Sequence, residues 1–414
     1  MSLASIIGLT FVMMTTVRAS KLLISKTRLQ SKMGLLNIPL AKDSAWRTIR
    51  DRGTDEGWLA VTSMTRAAVE QLYKFAIEPY LPNYRKGGRP PRLSHLDYLA
   101  LTLYFLHTRS ELNTIALIFG CSLSTCSRNI DYILNLIIQH LPNHPEAAVR
   151  WPSNDEFQQF GSLVERKIER SKMDFSEPFT PFAFVDGCDF HIKHSVDLVE
   201  KDHNYNNKCG YPKVGNLFVW APTGKVVYCF VNAPGRLHDG ELALDLYELL
   251  NSNSTPPGYV LLADQGFKVI NGKTVCTASI TESDEGIRLT SKEVARLRAA
   301  SEWGNAGLQR CWARLTLRLP VDPQARRLLI LAAVYLYNFR TGVIGRNQIR
   351  TTYCPEWLGN WRLARPGPSG QQQYWEKAQK QANAKELEAN AKEAKAKEKA
   401  AYGSKGTKRK RTQQ

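Results

Sequence analysis

Two stretches of this chain repeat one pattern, and the pattern restricts the folds open to it. Phe182-Ala-Phe-Val185 runs straight into Asp186-Gly187, and Tyr259-Val-Leu-Leu-Ala263 runs straight into Asp264-Gln-Gly266. Aromatic and β-branched residues over so short a span favour a buried strand over a helix. A carboxylate closing such a strand is costly to desolvate unless it has a partner or a metal. Taken alone, each Asp also fits a strand-end acid turned to water. Taken together, two such strands lying side by side bring their acids together, which is the geometry of a metal site.

The surrounding pattern places these strands in a mixed α/β sheet flanked by helices. Strand-like runs at 182–193, 214–220 and 226–231 are followed by a helical stretch from about Gly240 to Leu250 and a strand at 258–263. Pro222-Thr-Gly224 is a turn that makes the second and third strands a hairpin. Three strands, a helix, then a strand carrying the second acid describe a mixed sheet. After a polar stretch read as loop (271–290), helical spacing runs from Lys292 to about Leu319, where Pro320 stops it. A second apolar helix covers Arg326–Phe339.

The chain ahead of the sheet reads as all-α. Val69, Leu72 and Ala76 line one helix, ended by Pro79 and Pro82. Tyr84-Arg-Lys-Gly-Gly-Arg-Pro-Pro-Arg92 follows, basic and held extended by Gly and Pro. It is loosely similar to an AT-hook, with Arg89 and Arg92 as phosphate or minor-groove contacts, and reads equally as a solvated linker. Leu96, Ala100, Leu103 and Leu106 line a further helix, and Leu112, Ile115, Ala116 and Phe119 the next. Gly120-Cys-Ser122 then breaks the pattern, with Gly120 suited to the residue after a helix and Ser122 to an N-cap. The third helix buries Cys126, Ile130, Ile133 and Ile137. Helix, Gly-containing turn and helix form a helix-turn-helix pattern, in which Ser124, Thr125 and Arg128 face DNA or simply water. The organisation expected is an unassigned segment (1–60), a helical region with the helix-turn-helix (61–145), a connector (146–180), a catalytic domain (181–345), a short extension (346–370) and a basic low-complexity tail (371–414).

Charge narrows the partner. The formal net charge is +18 over 414 residues, of which the tail from Gln371 on carries +7, so the body is basic as well. A polyanion such as nucleic acid is the natural partner, an acidic membrane surface the other. Lys408-Arg-Lys-Arg411 reads as a nuclear localisation signal or as a solubilising end. Eight scattered cysteines without a C-x-x-C pair argue against a disulfide framework or zinc ribbon. No stretch approaches the ~18 uncharged apolar residues of a membrane span, and Met1–Val17 lacks the basic start of a secretion signal.

A site for two hard cations needs a third carboxylate, and Glu302 in Ser301-Glu-Trp-Gly304 is the candidate. Oxygen-only ligands favour Mg²⁺ or Mn²⁺ over zinc. Glu302 lies about a third of a turn off the apolar stripe of its helix, so it also reads as an exposed first-turn glutamate. Gly304 and Gly307 offer a bend or a close backbone approach that re-aims it. Arg236-Leu-His-Asp239 opens a helix and places His238 and Asp239 near the acids, although Asp239 fits a plain N-cap at least as well. Cys188, His191, His194, His203 and Cys209 suggest zinc by composition only, because Cys188 and His191 point to opposite faces of one strand.

The ordered set Val185-Asp-Gly187 with Ile192-Lys193, Pro222-Thr-Gly224, Gly235-Arg-Leu-His-Asp239, Ala263-Asp-Gln-Gly266 and Ser301-Glu-Trp-Gly304, leading to Leu308 and Arg314-Leu315, resembles the PIF/Harbinger class of DDE transposases and nucleases derived from them. The resemblance spans about residues 90–345. It implies a ribonuclease H-like catalytic domain behind a helix-turn-helix, with Asp186, Asp264 and Glu302 as a triad holding two Mg²⁺ or Mn²⁺ ions. It further implies cutting and joining of DNA at transposon ends in the nucleus, by a homo-oligomer, with a Myb-like DNA-binding partner protein. Asp189 stands where such proteins often carry His or Glu, and Tyr205-Asn-Asn-Lys-Cys-Gly matches their pattern only in part. The alternative function is a domesticated DNA-binding or scaffold protein without required catalysis, and a third is a general nuclease.

Overall fold

The computed structural model describes residues 38–81, 93–173, 179–194, 203–206, 210–267, 275–277 and 291–355. Among them the strands are β1 (Thr180–His191), β2 (Tyr205–Asn206), β3 (Tyr211–Trp220), β4 (Val226–Pro234), β5 (Tyr259–Ala263) and β6 (Val275–Thr277). The strand order is β4-β3-β1-β5-β6, with β2 against the start of β3. β1 is central. It runs antiparallel to β3, in unbroken register from Phe184 opposite Trp220 to His191 opposite Lys213. On its other side it runs parallel to β5, and β5 runs parallel to β6. This is the mixed sheet flanked by helices that the sequence and the resemblance implied.

Alternation along β1 explains its central place. Phe184, Cys188 and Phe190 enter one core, while Ala183 and Val185 enter the other. A strand buried on both faces reads as a continuous apolar run, and a carboxylate within it stands out for that reason.

The helices divide between the two faces. The N-terminal part holds α1 (Ala45–Arg52), α2 (Asp55–Thr62), α3 (Arg66–Ala76), α4 (His95–His107), α5 (Leu112–Phe119) and α6 (Leu123–His140). α7 (Asn154–Arg170) follows, then the short α8 (Asp239–Leu242) and α9 (Leu244–Asn251), then α10 (Ser291–Cys311), α11 (Pro323–Ile344) and α12 (Gln348–Tyr353). Phe157 and Phe160 of α7 and Leu246 and Leu250 of α9 cover one face of the sheet. The other face joins α10, α11 and the N-terminal helices in one continuous core, so the helical region expected as a separate unit shares its interior with the sheet. α11 has the length and apolarity of a membrane span, and most of it is buried here.

Four readings change. Residues 154–170, taken as connector, form α7, whose Ser153 and Glu156 close a capping box. The helix placed over Lys292–Leu319 ends at Cys311. Leu319 instead pairs with the end of β1, its N–H donating to the His191 carbonyl (2.8 Å) while Lys193 N–H donates to the Leu319 carbonyl (3.0 Å). Within the stretch read as loop, Val275–Thr277 adds a parallel strand to β5. The single helix from Gly240 is two, broken at Ala243.

Gly304 sets how closely α10 lies on the sheet. A Cβ there would sit 2.3 Å from Cδ2 of the Trp220 ring, and Trp220 is fully buried. At Gly307 the Tyr337 hydroxyl stands 2.7 Å from the same notional atom. The glycines therefore serve close approach, one of the two roles the sequence offered. Alanine favours an exposed helix over glycine by about 1 kcal/mol, but overpacking a core costs ~1–3 kcal/mol. Gly304→Ala is therefore expected to lower stability by up to about 2 kcal/mol in urea unfolding. Equal or higher stability would contradict the packing described.

Candidate active site

The register of β1 on β5 brings the two acids together. Phe184 stands beside Leu262 in the parallel ladder. Asp186 and Asp264 each follow two residues later, Asp264 just past the end of β5, and the Asp264 charge acts on Asp186. Asp264 is turned by its own loop: its Oδ1 accepts from Gly266 N–H (2.8 Å) at the head of a 3₁₀ turn over Gln265–Phe267. The Phe267 carbonyl in turn accepts from the Tyr247 hydroxyl (2.9 Å), which ties the turn to α9.

α10 supplies the third side. Asn305 Nδ2 donates to Asp186 Oδ2 and to the Gly187 carbonyl, both at 3.2 Å. Its Oδ1 accepts from Trp220 Nε1 (3.1 Å), so the amide is oriented from both ends. Glu302, one turn before Asn305, is exposed, and its Oε1 accepts from Arg298 (2.8 Å). Neither Asn305 nor Arg298 was singled out in the sequence. The available signal was spacing, since both lie within one helical turn of the candidate Glu.

A fourth acid is present. A Cβ on Gly187 would meet the Asp239 carboxylate at 2.5–2.6 Å, so this glycine leaves room for Asp239 against β1. Asp239 is the first residue of α8 rather than its N-cap. The cap is His238, which is exposed and whose N–H donates to Glu241 (2.9 Å). Asp189 is ion-paired to Lys213.

Electrostatics show that the cluster is under strain. Burial raises the Asp186 carboxyl to about 7, Arg298 pulls it down, and Asp264, Asp239 and Glu302 push it up in that order. Burial also raises Asp239, with Asp189 and Asp264 adding to the shift and Lys213 opposing it. Arg298 is thus the standing counter-ion of the cluster, shared between Asp186 and Glu302.

The donors suit a hard divalent cation: they are all oxygen, and burial together with neighbouring carboxylates disfavours the charged form of Asp186. Among the described residues, no three His, Cys, Asp or Glu side chains are gathered tightly enough to hold an ion as they stand. Glu302 is turned outward to Arg298. Among the described residues the zinc set does not assemble, and Cys209 lies outside them. Cys188 is buried, accepts from Gln309 and is pushed up to about 12 by burial, whereas His191 is exposed and stacks on Tyr211.

Of the DNA-contact candidates, Ser124 and Arg128 are exposed on α6 and Thr125 is half-buried. Ser122 caps this helix by accepting from Thr125 N–H, and Gly120 ends α5 with a φ of 68°. Arg89, Arg92 and Lys408, Arg409, Lys410 and Arg411 lie outside the described residues.

Residues 185–338 match the family model described as DDE superfamily endonuclease. The solved structure titled "Crystal structure of the Mos1 Strand Transfer Complex" aligns at 11% identity with a TM-score of 0.24, covering 72% of this chain and 97% of that one. No curated protein matches.

The pH dependence of stability follows from Asp186. Its folded pKa lies above the unfolded value near 4, so the folded state binds the proton more tightly. Stability should therefore fall as pH rises from about 4 to about 7, by about 4 kcal/mol at most for three pK units. Asp186→Asn removes the charge and keeps an acceptor for Asn305. With EDTA present, the variant is expected to match the parent near pH 4 and to exceed it at pH 8 in urea unfolding. Parallel pH curves for the two proteins would contradict the raised carboxyl.

Proposed function

We propose that this chain is a DNA endonuclease and strand-transfer enzyme of the DDE transposase type, of the PIF/Harbinger kind, with Asp186, Asp264 and Glu302 holding two Mg²⁺ or Mn²⁺ ions. The observation that supports this reading is the parallel pairing of Phe184 with Leu262, two residues ahead of Asp186 and Asp264, within a sequence segment matching a DDE endonuclease model. Such ions, when bound, activate a water or a 3′-hydroxyl and stabilise the oxygen leaving a phosphodiester.

The chain's own residues divide the remaining work. Asp186 and Asp264, on a rigid central sheet, fix the primary donors. Asn305 holds the Asp186 carboxylate in one orientation and is itself held by Trp220. Glu302 would join these donors by giving up Arg298, which would free that guanidinium for an anion. Asp239 adds negative charge at Gly187, on the strand face opposite Asp186. The turn between α5 and α6 presents Ser124, Thr125 and Arg128 to DNA as a helix-turn-helix. In this reading the protein works in the nucleus as a homo-oligomer with a Myb-like DNA-binding partner.

The test uses purified full-length protein with Mg²⁺ or Mn²⁺ and labelled DNA carrying the terminal repeats of the element, beside Asp186→Ala and Asp264→Ala. Changing even an outer-shell partner of a metal ligand loses 10- to 100-fold, so each variant should cut at least ~100-fold more slowly. Cleavage by the variants at the parental rate would end the proposal. Independently of cleavage, Mn²⁺ at a hundred times its dissociation constant is expected to stabilise the parent by about 2.7 kcal/mol and Asp186→Asn much less. An equal shift in both proteins would place the ion elsewhere.

A further inference from the structure

A cleft of about 570 Å³ opens at the His191 end of β1, where the N-terminal helices meet the sheet. Its framework is well tied. The Arg314 guanidinium lies 4.1 Å from the Phe105 ring centroid and donates to the Ser110 carbonyl (3.0 Å). Arg109 Nε donates to the Thr316 hydroxyl (2.9 Å), and the backbone pairing of Leu319 with His191 and Lys193 closes the floor.

The rim is basic and unneutralised. Arg109, Lys193 and Arg318 are exposed, and among the described residues none of them is ion-paired. Glu111 is the single acid in the lining, and its field acts on Arg314, whose charge burial disfavours. Among the described residues the three rim cations have no acidic partner; Arg109 is held only by the neutral Thr316 hydroxyl. Three such charges on one rim repel one another, and an extended polyanion relieves that repulsion.

We propose that this cleft is a docking groove for the phosphate backbone of duplex DNA, separate from the acid cluster and contacted through Arg109, Lys193 and Arg318. The proposal rests on the reading of the protein as a DNA-cutting enzyme and adds where the uncut part of the duplex lies. Lys193 follows Asp186 by seven residues along an extended strand, which spans roughly 23 Å. At 3.4 Å per base pair that is about seven base pairs. A duplex with its scissile phosphate at Asp186 is long enough to cross the groove, and a mononucleotide is not.

The test compares full-length parent with Arg109→Gln/Lys193→Gln/Arg318→Gln by fluorescence anisotropy on a 30-base-pair duplex, without divalent ions, over a salt series. A control variant, Arg52→Gln/Lys74→Gln/Lys172→Gln, removes the same charge from exposed residues outside the groove. Each lost phosphate contact lowers the slope of log K against log salt by about 0.9, so the groove variant should lose about 2 to 3 in slope and ~100-fold in affinity at 0.1 M salt. The control should lose clearly less, and all three proteins should melt at the same temperature. A groove variant that binds like the parent, or is weakened no more than the control, overturns the proposal.

Cleavage is scored separately, which separates the two readings. Loss of slope in the groove variant together with a parent that never cuts leaves the groove standing and removes the enzyme. A parent that cuts and a groove variant with parental slope does the reverse.

Discussion

The parallel pairing of β1 with β5 is the constraint on which the rest of this molecule depends. Strand neighbours are about 4.8 Å apart, and a register fixed at Phe184 and Leu262 leaves the next-but-one residues level with each other. A slip of one residue on either strand would turn an acid to the opposite face. The register is held because both faces of β1 are buried, so a slipped strand would also expose its aromatic residues. The same packing that stabilises the sheet therefore brings two carboxylates near one another and desolvates Asp186.

The docking of α10 completes the arrangement through shape and hydrogen bonding rather than charge. Gly304 lets the helix settle on the Trp220 ring, and the indole N–H then reaches Asn305, which reaches Asp186. This chain of contacts converts a packing fit into the orientation of one carboxylate. Arg298 and Glu302 sit on the outer side of the same helix, where their pairing leaves the acid free to exchange partners at little cost, since exposed ion pairs are weak. The rigid and the adjustable parts of the site thus lie on one helix, one turn apart.

Much of this was legible in the residues, and the failures have physical causes. Asp186 and Asp264 stood out because an apolar run ending in an acid is costly wherever it is buried, so pattern alone marked them. Their pairing followed only on condition that the strands are neighbours, or from the resemblance, because register depends on strands far apart in sequence. The end of α10 was misplaced because Leu308, Cys311, Leu315 and Leu319 keep helical spacing, yet backbone hydrogen bonds to β1 claim Leu319. In α7, Ser153 and Glu156 spell a capping box and Phe157, Phe160, Val164 and Ile168 keep a helical period. There the signal existed and the charged, Pro-containing flanks obscured it. The three-residue β6 is too short for any periodicity to register. The sequence marks Arg298 and Asn305 only by their spacing from Glu302, because their role is set by what α10 packs against.

The account reduces to one claim, that Asp186 and Asp264 form the oxygen pair that takes a divalent ion. Anomalous diffraction from crystals grown with Mn²⁺ tests it most directly. The account predicts a manganese peak within about 2–2.3 Å of oxygens from both side chains, with Glu302 turned away from Arg298. Manganese bound only elsewhere, such as at Asp189 and Asp239, with Asp186 still bonded to Asn305 and untouched by metal, would contradict it.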